Sequence, residues 1–132
     1  MNGLLEIRPA SESDYSSIEY FLRYEYFVHQ HLDWRPVLDW LGIQPFYVAL
    51  HAGDIIGCLA APNEVDKVAW IRLFACSSHY SRIEIWKKLY EKVLIFFQHK
   101  VNEIAVLGIQ PWLTNLLLEQ NFKINQHIIV FE

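Results

Sequence analysis

Glycine is scarce in this chain where it would matter most. The 132 residues include five glycines, and none falls in Ser77-Ser78-His79-Tyr80-Ser81-Arg82-Ile83-Glu84-Ile85-Trp86, a polar loop opening a long amphipathic stretch. Glycines ahead of a helix let the backbone approach phosphates closely, so their absence excludes the usual glycine-cradled nucleotide loop. Cysteine is nearly absent as well. Cys58 and Cys76 sit in separate strand candidates with no C-x-x-C and no zinc spacing, which excludes a disulfide framework and leaves no metal site to propose. Both read as buried free thiols. Cys76 is weighed as a nucleophile because it ends a strand near His79, yet a base three residues away in a loop is a weak signal.

Positive charge is in deficit too. Eleven Lys and Arg against fifteen Asp and Glu give a net charge of -4, and no basic cluster exceeds Lys87-Lys88 with Lys92 nearby. Phosphate-backbone binding needs a basic excess, so nucleic acid is not an expected partner. The longest apolar runs, such as Val93 to Phe97, are about five residues, far short of the roughly 20 that cross a bilayer. No charged, then apolar, then small-residue leader opens the chain, and the expectation is a cytoplasmic protein with no membrane partner. Repeats and low-complexity tracts are lacking.

What is present is apolar and aromatic. Hydrophobic residues make up 53% of the chain and aromatics 15%, with five Trp, seven Tyr and eight Phe. That composition builds one domain over 1–132 with a substantial core, and leaves aromatics over for a pocket or a subunit interface. Leu4 to Arg8 reads as a strand closed by Pro9, and a helix follows, capped by Ser11 or Ser13 and ending near His29. His31 to Leu41 reads as a short second helix stopped by Gly42. Phe46 to Leu50 and Ile55 to Ala60 pair as a hairpin about Ala52-Gly53-Asp54.

Val68 to Cys76 is a third consecutive strand, with Trp70, Arg72 and Phe74 pointing one way and Ile71, Leu73 and Ala75 the other. Arg82 to about Lys100 forms a long helix whose stripe is Ile85, Leu89, Val93, Phe96 and Phe97. Ile104 to Gly108 is a buried strand, Trp112 to Gln120 a last short helix, and Phe122 to Phe131 a final strand with a break near Asn125-Gln126. A strand delivered onto a helix N-terminus is anion-binding geometry, because free N–H groups and the helix dipole face the ligand.

The order resembles the GNAT family of acyl-CoA-dependent N-acyltransferases across nearly the whole chain. The resemblance is carried by Ile7-Arg8-Pro9-Ala10 with Asp14 and Ile18, by Ala52-Gly53-Asp54-Ile55-Ile56-Gly57, and by Glu119-Gln120-Asn121-Phe122, where Asn stands for the family's usual Gly. It implies an α/β (α+β) fold with a central mixed, mostly antiparallel sheet flanked by helices. It implies acetyl-CoA as cofactor and transfer of an acetyl group to a small-molecule or peptide amine; a homodimer is instead one outcome of the surplus aromatics. Phe74, Ala75 and Cys76 would then meet the pantetheine, while Ser77, Ser78, Ser81 and Arg82 face the phosphates.

Three departures qualify the resemblance. The family's glycine signature falls on Arg82, Glu84 and Trp86, where an indole and a carboxylate crowd and repel a diphosphate and Arg82 attracts it. The family's frequent acid, a tyrosine, corresponds to Leu117, which cannot protonate a thiolate. The chain is also short after its last helix, where the family makes a two-strand hairpin. A non-catalytic binding or dimerisation module, beside a further domain in a longer protein, is therefore the rival reading.

His79 is a candidate base in the loop, Glu64 a candidate base through a water, and Asp66 a companion carboxylate. Each is set against the reading of a solvated loop residue. Arg72 needs a salt bridge or an anionic ligand. Tyr24, Tyr26, His29, His31, Trp34 and Trp40 would roof the substrate side, or else simply pack with their polar tips in water.

Overall fold

The computed structural model describes residues 5–30, 37–62, 68–98, 103–106, 110–125 and 128–131. The first strand, β1 (Leu5–Pro9), leads into a short 3-10 turn and helix α1 (Tyr15–Tyr24). This junction is locked by Asp14, whose carboxylate accepts two bonds from the Arg8 guanidinium at 2.9 Å and one from the Ser11 N–H at 2.9 Å. These bonds hold the Asp14 carboxyl at a pKa of about 2, below the ordinary 3.8, with the Arg8 hydrogen bond as the largest cause. A depressed carboxylate pKa contributes stability above the unfolded value and loses it as pH falls through the folded one. Arg8 is partly exposed, so the contribution is about 1 kcal/mol after screening. Chemical denaturation of Asp14→Asn should show that deficit in full at pH 7 and a clearly smaller one at pH 2, where about half of the folded protein has a neutral Asp14.

Helix α1 ends at Tyr24, earlier than its periodicity predicts, and Phe27–Gln30 forms strand β2. Phe and Val are good strand residues, and pairing along a neighbouring strand satisfies backbone groups that an extended helix would satisfy internally. Val37–Trp40 is a 3-10 turn rather than the body of a second helix, and residues 31–36 of that expected helix lie outside the described residues. The hairpin of β3 (Phe46–His51) and β4 (Asp54–Ala60) is as expected, with its two-residue turn at Ala52 and Gly53, at φ +52° and +87°.

The third expected strand is present but changes partner midway. Its first part, β5 (Val68–Trp70), pairs in parallel with β7 (Glu103–Val106); its second, β6 (Leu73–Cys76), pairs antiparallel with β4 on one edge and β2 on the other. The alternation also slips. Ala69 and Ile71 share a core cluster with Phe74 and Cys76, whereas Leu73 and Ala75 belong to the other face, so the phase inverts around Arg72. The expected facing of Ile71 with Leu73 is thereby corrected.

Helix α2 (Arg82–Phe97) packs on one face of the sheet and α1 on the other. The α2 stripe keeps Ile85, Leu89, Val93 and Phe97, but Phe96 is 38% exposed and its place in the core goes to Trp86 and Tyr90. After α3 (Pro111–Glu119), Asn121 adopts φ +72°, the left-handed conformation expected where the family has glycine. The tail is an antiparallel hairpin of β8 (Phe122–Asn125) and β9 (Ile128–Phe131), with β9 also paired to β7. The expected final strand Phe122 to Phe131 is therefore two strands that form the hairpin within this chain.

The result is a five-stranded sheet, β1-β3-β4-β6-β2, and a four-stranded one, β5-β7-β9-β8, which diverge where β5 passes into β6. Among the described residues no helix is long and apolar enough to cross a membrane, and no group of His, Cys, Asp or Glu could hold a metal ion.

Candidate functional site

Strand β6 ends at Cys76, and the chain turns through Ser77–Tyr80 onto the start of α2. Ser77 is buried, its N–H donating to the Ile56 carbonyl at 2.9 Å and its Oγ accepting from the His79 N–H at 3.2 Å. The turn is thus pinned to β4 from below. Ser81 caps the helix, its Oγ accepting from the Glu84 N–H at 3.3 Å. The N–H groups of Arg82 and Ile83, in the same first turn, have no carbonyl of their own helix to reach.

Above this turn lies a cleft of about 440 Å³ between α2 and α3, lined among others by Ser81, Arg82, Trp112, Asn115 and Glu119. Arg82 supplies positive charge at its mouth, added to the positive end of the helix dipole. Its guanidinium lies 4.0 Å over the ring of Phe27, which in turn meets Trp112 edge-on at 5.4 Å. Glu119 brings a carboxylate to the opposite wall. On the other side of the turn, Tyr80 Oη and His51 Nδ1 are hydrogen-bonded at 3.1 Å and tie the loop to the end of β3.

The expected site residues divide unevenly over this geometry. Ser81 and Arg82 line the cleft. Ser77 supports it from beneath, and Ser78 is exposed in the turn. His79 is exposed, and it is its backbone that holds Ser77. Phe74, Ala75 and Cys76 are fully buried, with their backbone paired on both edges. Phe74 packs its ring edge-on against Trp86 at 5.1 Å. Glu64 and Asp66 lie outside the described residues, as do His31 and Trp34.

Burial pushes the Cys76 thiol up to about 12 and drives Cys58 further still in the same direction. Neither thiol is an available nucleophile at neutral pH. Arg72 is 8% exposed and stacks over Trp40, 5.7 Å from the ring centroid, on the α1 face and away from the cleft. Of the expected aromatic roof, Tyr24 and Tyr26 are exposed, Trp40 is core, and His29 is buried with Nδ1 3.2 Å from Gln110 Oε1.

Trp86 requires the largest correction. Its side chain is 1% exposed and turned into the core, stacked on Tyr90 at 4.9 Å, so it does not crowd the cleft. Sequence reasoning placed it by its offset from the helix start, without the helix rotation that decides which side of the first turn faces the ligand. The same reasoning missed Phe27, Gln110, Trp112 and Glu119. Trp112 carried a usable signal, an aromatic directly after the helix-opening Pro111; the others depend on residues brought together from distant parts of the chain.

No protein-family model matches the sequence, and no curated protein matches it. Solved structures do. N-acetylglutamate synthase from Neisseria gonorrhoeae, complexed with coenzyme A and N-acetyl-glutamate, superposes with a TM-score of 0.78 at 16% identity over 99% of this chain and 35% of that one. An acetyltransferase of the GNAT family from Staphylococcus aureus gives 0.76 at 14% identity, covering 96% of this chain and 98% of that one. The PaiA N-acetyltransferase from Thermoplasma acidophilum, in complex with coenzyme A, gives 0.70 at 15% identity over 96% of both chains. The chain thus spans about a third of the synthase but nearly all of the two shorter enzymes. In strand order, helix placement and superposition, this chain has the GNAT N-acetyltransferase fold.

Proposed function

We propose that this domain binds acetyl-CoA at the N-terminus of α2 and transfers its acetyl group to an amine of a small molecule or peptide. The observation that carries the reading is the cleft itself: a capped helix start with two first-turn N–H groups that no carbonyl of their own helix can reach, a basic side chain at its mouth and about 440 Å³ of space. That combination suits a diphosphate. Bound acetyl-CoA would supply an activated thioester for attack by the amine. Arg82 would neutralise the diphosphate by side-chain charge where glycine-lined backbone is missing, and Ser81 would hold the helix start in place. Trp112 and Leu116 would exclude water from the cleft floor.

A second reading rests on two observations. Leu117 is fully buried where the family commonly has a tyrosine acid, and the backbone of Phe74–Cys76 is paired on both edges. Both favour a domain that keeps the fold for binding rather than chemistry.

Calorimetric titration with coenzyme A and acetyl-CoA, together with an amine screen read by mass spectrometry, separates the two. Wild type should bind in the high micromolar range, Arg82→Glu at least about tenfold more weakly, and Glu119→Gln several-fold more tightly as a repulsive carboxylate is removed. Binding with amine acetylation supports the transferase. Binding without acetylation supports the non-catalytic reading, and no binding at millimolar coenzyme by any of the three proteins sinks the coenzyme assignment.

A further inference from the structure

The continuous segment β5–β6 is followed along one edge by two partners in turn. The β7 strand accompanies the chain as far as Ile71, whose N–H donates to the Ala105 carbonyl at 2.9 Å, and β2 takes the edge from Leu73 to Cys76. The register pairs Phe27 with Cys76 and His29 with Phe74. The Val28 N–H donates to the Tyr26 carbonyl at 3.0 Å, and its own carbonyl accepts from Gln110 Nε2 at 3.0 Å, so both groups face away from β6. By the alternation of an antiparallel ladder, the bonds to β6 fall to Phe27 and His29.

Beyond its ladder this strand buries His29 and packs Val28 against the core, and it is otherwise gripped through Gln110 and Phe27. It is four residues long and forms the outer edge of its sheet. Its last residue, Gln30, is exposed, as is Tyr26 just before the strand. Gln110 grips it twice, through Val28 and through His29 Nδ1. Phe27 is clamped between Arg82 and Trp112. Short edge strands with exposed ends open at lower free energy than the sheet they border.

We propose that β2 is a releasable strap. Closed, it seals the edge of β6; open, it exposes the N–H and C=O groups of Phe74 and Cys76 to an extended, amide-bearing ligand that takes its place in the ladder. Gln110 is the positioning residue that sets the balance between the two states. The stacking of Arg82 on Phe27 links the strap to the cleft, because an anion that draws the guanidinium away removes one of the contacts holding β2. Identifying the ligand as the amide-bearing arm of coenzyme A rests on the reading under Proposed function; the strap does not.

Amide hydrogen exchange by NMR on the wild-type protein and on Gln110→Ala tests this, with coenzyme A as the probe. The amides of Phe27 and His29 should exchange about a hundredfold faster than those of β3 and β4, and Gln110→Ala should accelerate them about tenfold further while leaving β3 and β4 unmoved. Because the closed strap lowers the competent fraction, the same variant should bind coenzyme A several-fold more tightly than wild type. In the bound protein Phe27 and His29 should lose protection while Phe74 and Cys76 keep theirs. Exchange of β2 at the rate of β4, unchanged in Gln110→Ala, overturns the strap. Coenzyme binding that raises the protection of Phe27 and His29 overturns the competition. Absence of binding by both proteins removes coenzyme A as the ligand together with the acetyl-transfer reading, and the exchange rates of the free protein still decide whether β2 opens.

Discussion

Replacing Trp86 by alanine or glycine is expected to lower the melting temperature by about 10–20 °C and to give no gain in coenzyme binding. The indole is 1% exposed, lies nearly parallel to Tyr90 at 15° between ring planes, and meets Phe74 and Phe122 edge-on at 5.1 and 5.9 Å. Truncating a buried tryptophan costs about 3–5 kcal/mol in lost burial and residual cavity, a large part of the 5–15 kcal/mol that holds a domain of this size together. Glycine adds roughly another 1 kcal/mol through its poor helix propensity. Thermal denaturation followed by calorimetry at a temperature where both proteins are folded reads the two effects separately. A variant that keeps its melting temperature and begins to bind coenzyme would show the indole in the cleft after all.

The second large effect is expected at Gly57. A Cβ there would lie 2.6 Å from Ile85 Cγ2 and 3.2 Å from the Ala75 carbonyl oxygen. The glycine is what lets α2 settle on the sheet, and the ordinary backbone conformation at this position is not the issue. Ile85 is β-branched and buried, so its methyl has little room to rotate away. Gly57→Val should cost about 3 kcal/mol through overpacking and lift the first turn of α2, displacing Arg82 from the cleft mouth. Gly57→Ala should cost less, and combining it with Ile85→Ala should cost less than the sum of the two single changes, because the second makes room for the first. Urea denaturation of the four proteins tests this; strict additivity would mean that the two side chains do not compete for the same space.

These two positions also show what could be read in the chain before its structure. The β3–β4 hairpin followed from Gly53-Asp54 between apolar runs, since a tight turn needs residues that accept positive φ, although the structure puts the positive φ on Ala52 and Gly53. The start of α2 at Arg82 followed from the polar loop before it, and its buried stripe of Ile85, Leu89 and Val93 from a period of 3.6. Asn121 in the left-handed conformation followed from its place after the last helix. These are local properties, set by backbone sterics and by side chains three or four residues apart. Together with the strand order they determined the fold and placed the cleft at the β6–α2 turn.

Tertiary structure decided the rest, where the physical cause was a contact between distant residues. Which way Trp86 faces depends on the rotation of α2 against the sheet, and that is fixed by Ile85 and Leu89 seating on Gly57. The phase slip around Arg72 depends on the chain leaving one sheet for another, β7 taking it up to Ile71 and β4 and β2 from Leu73 onward. The strand at Phe27–Gln30 exists because β6 offers an edge 46 positions away and Gln110 a side-chain clamp 82 positions from Val28. Local propensity has no access to a hydrogen-bond partner at that separation, so a segment with mixed helix and strand character takes the state that its distant partners satisfy.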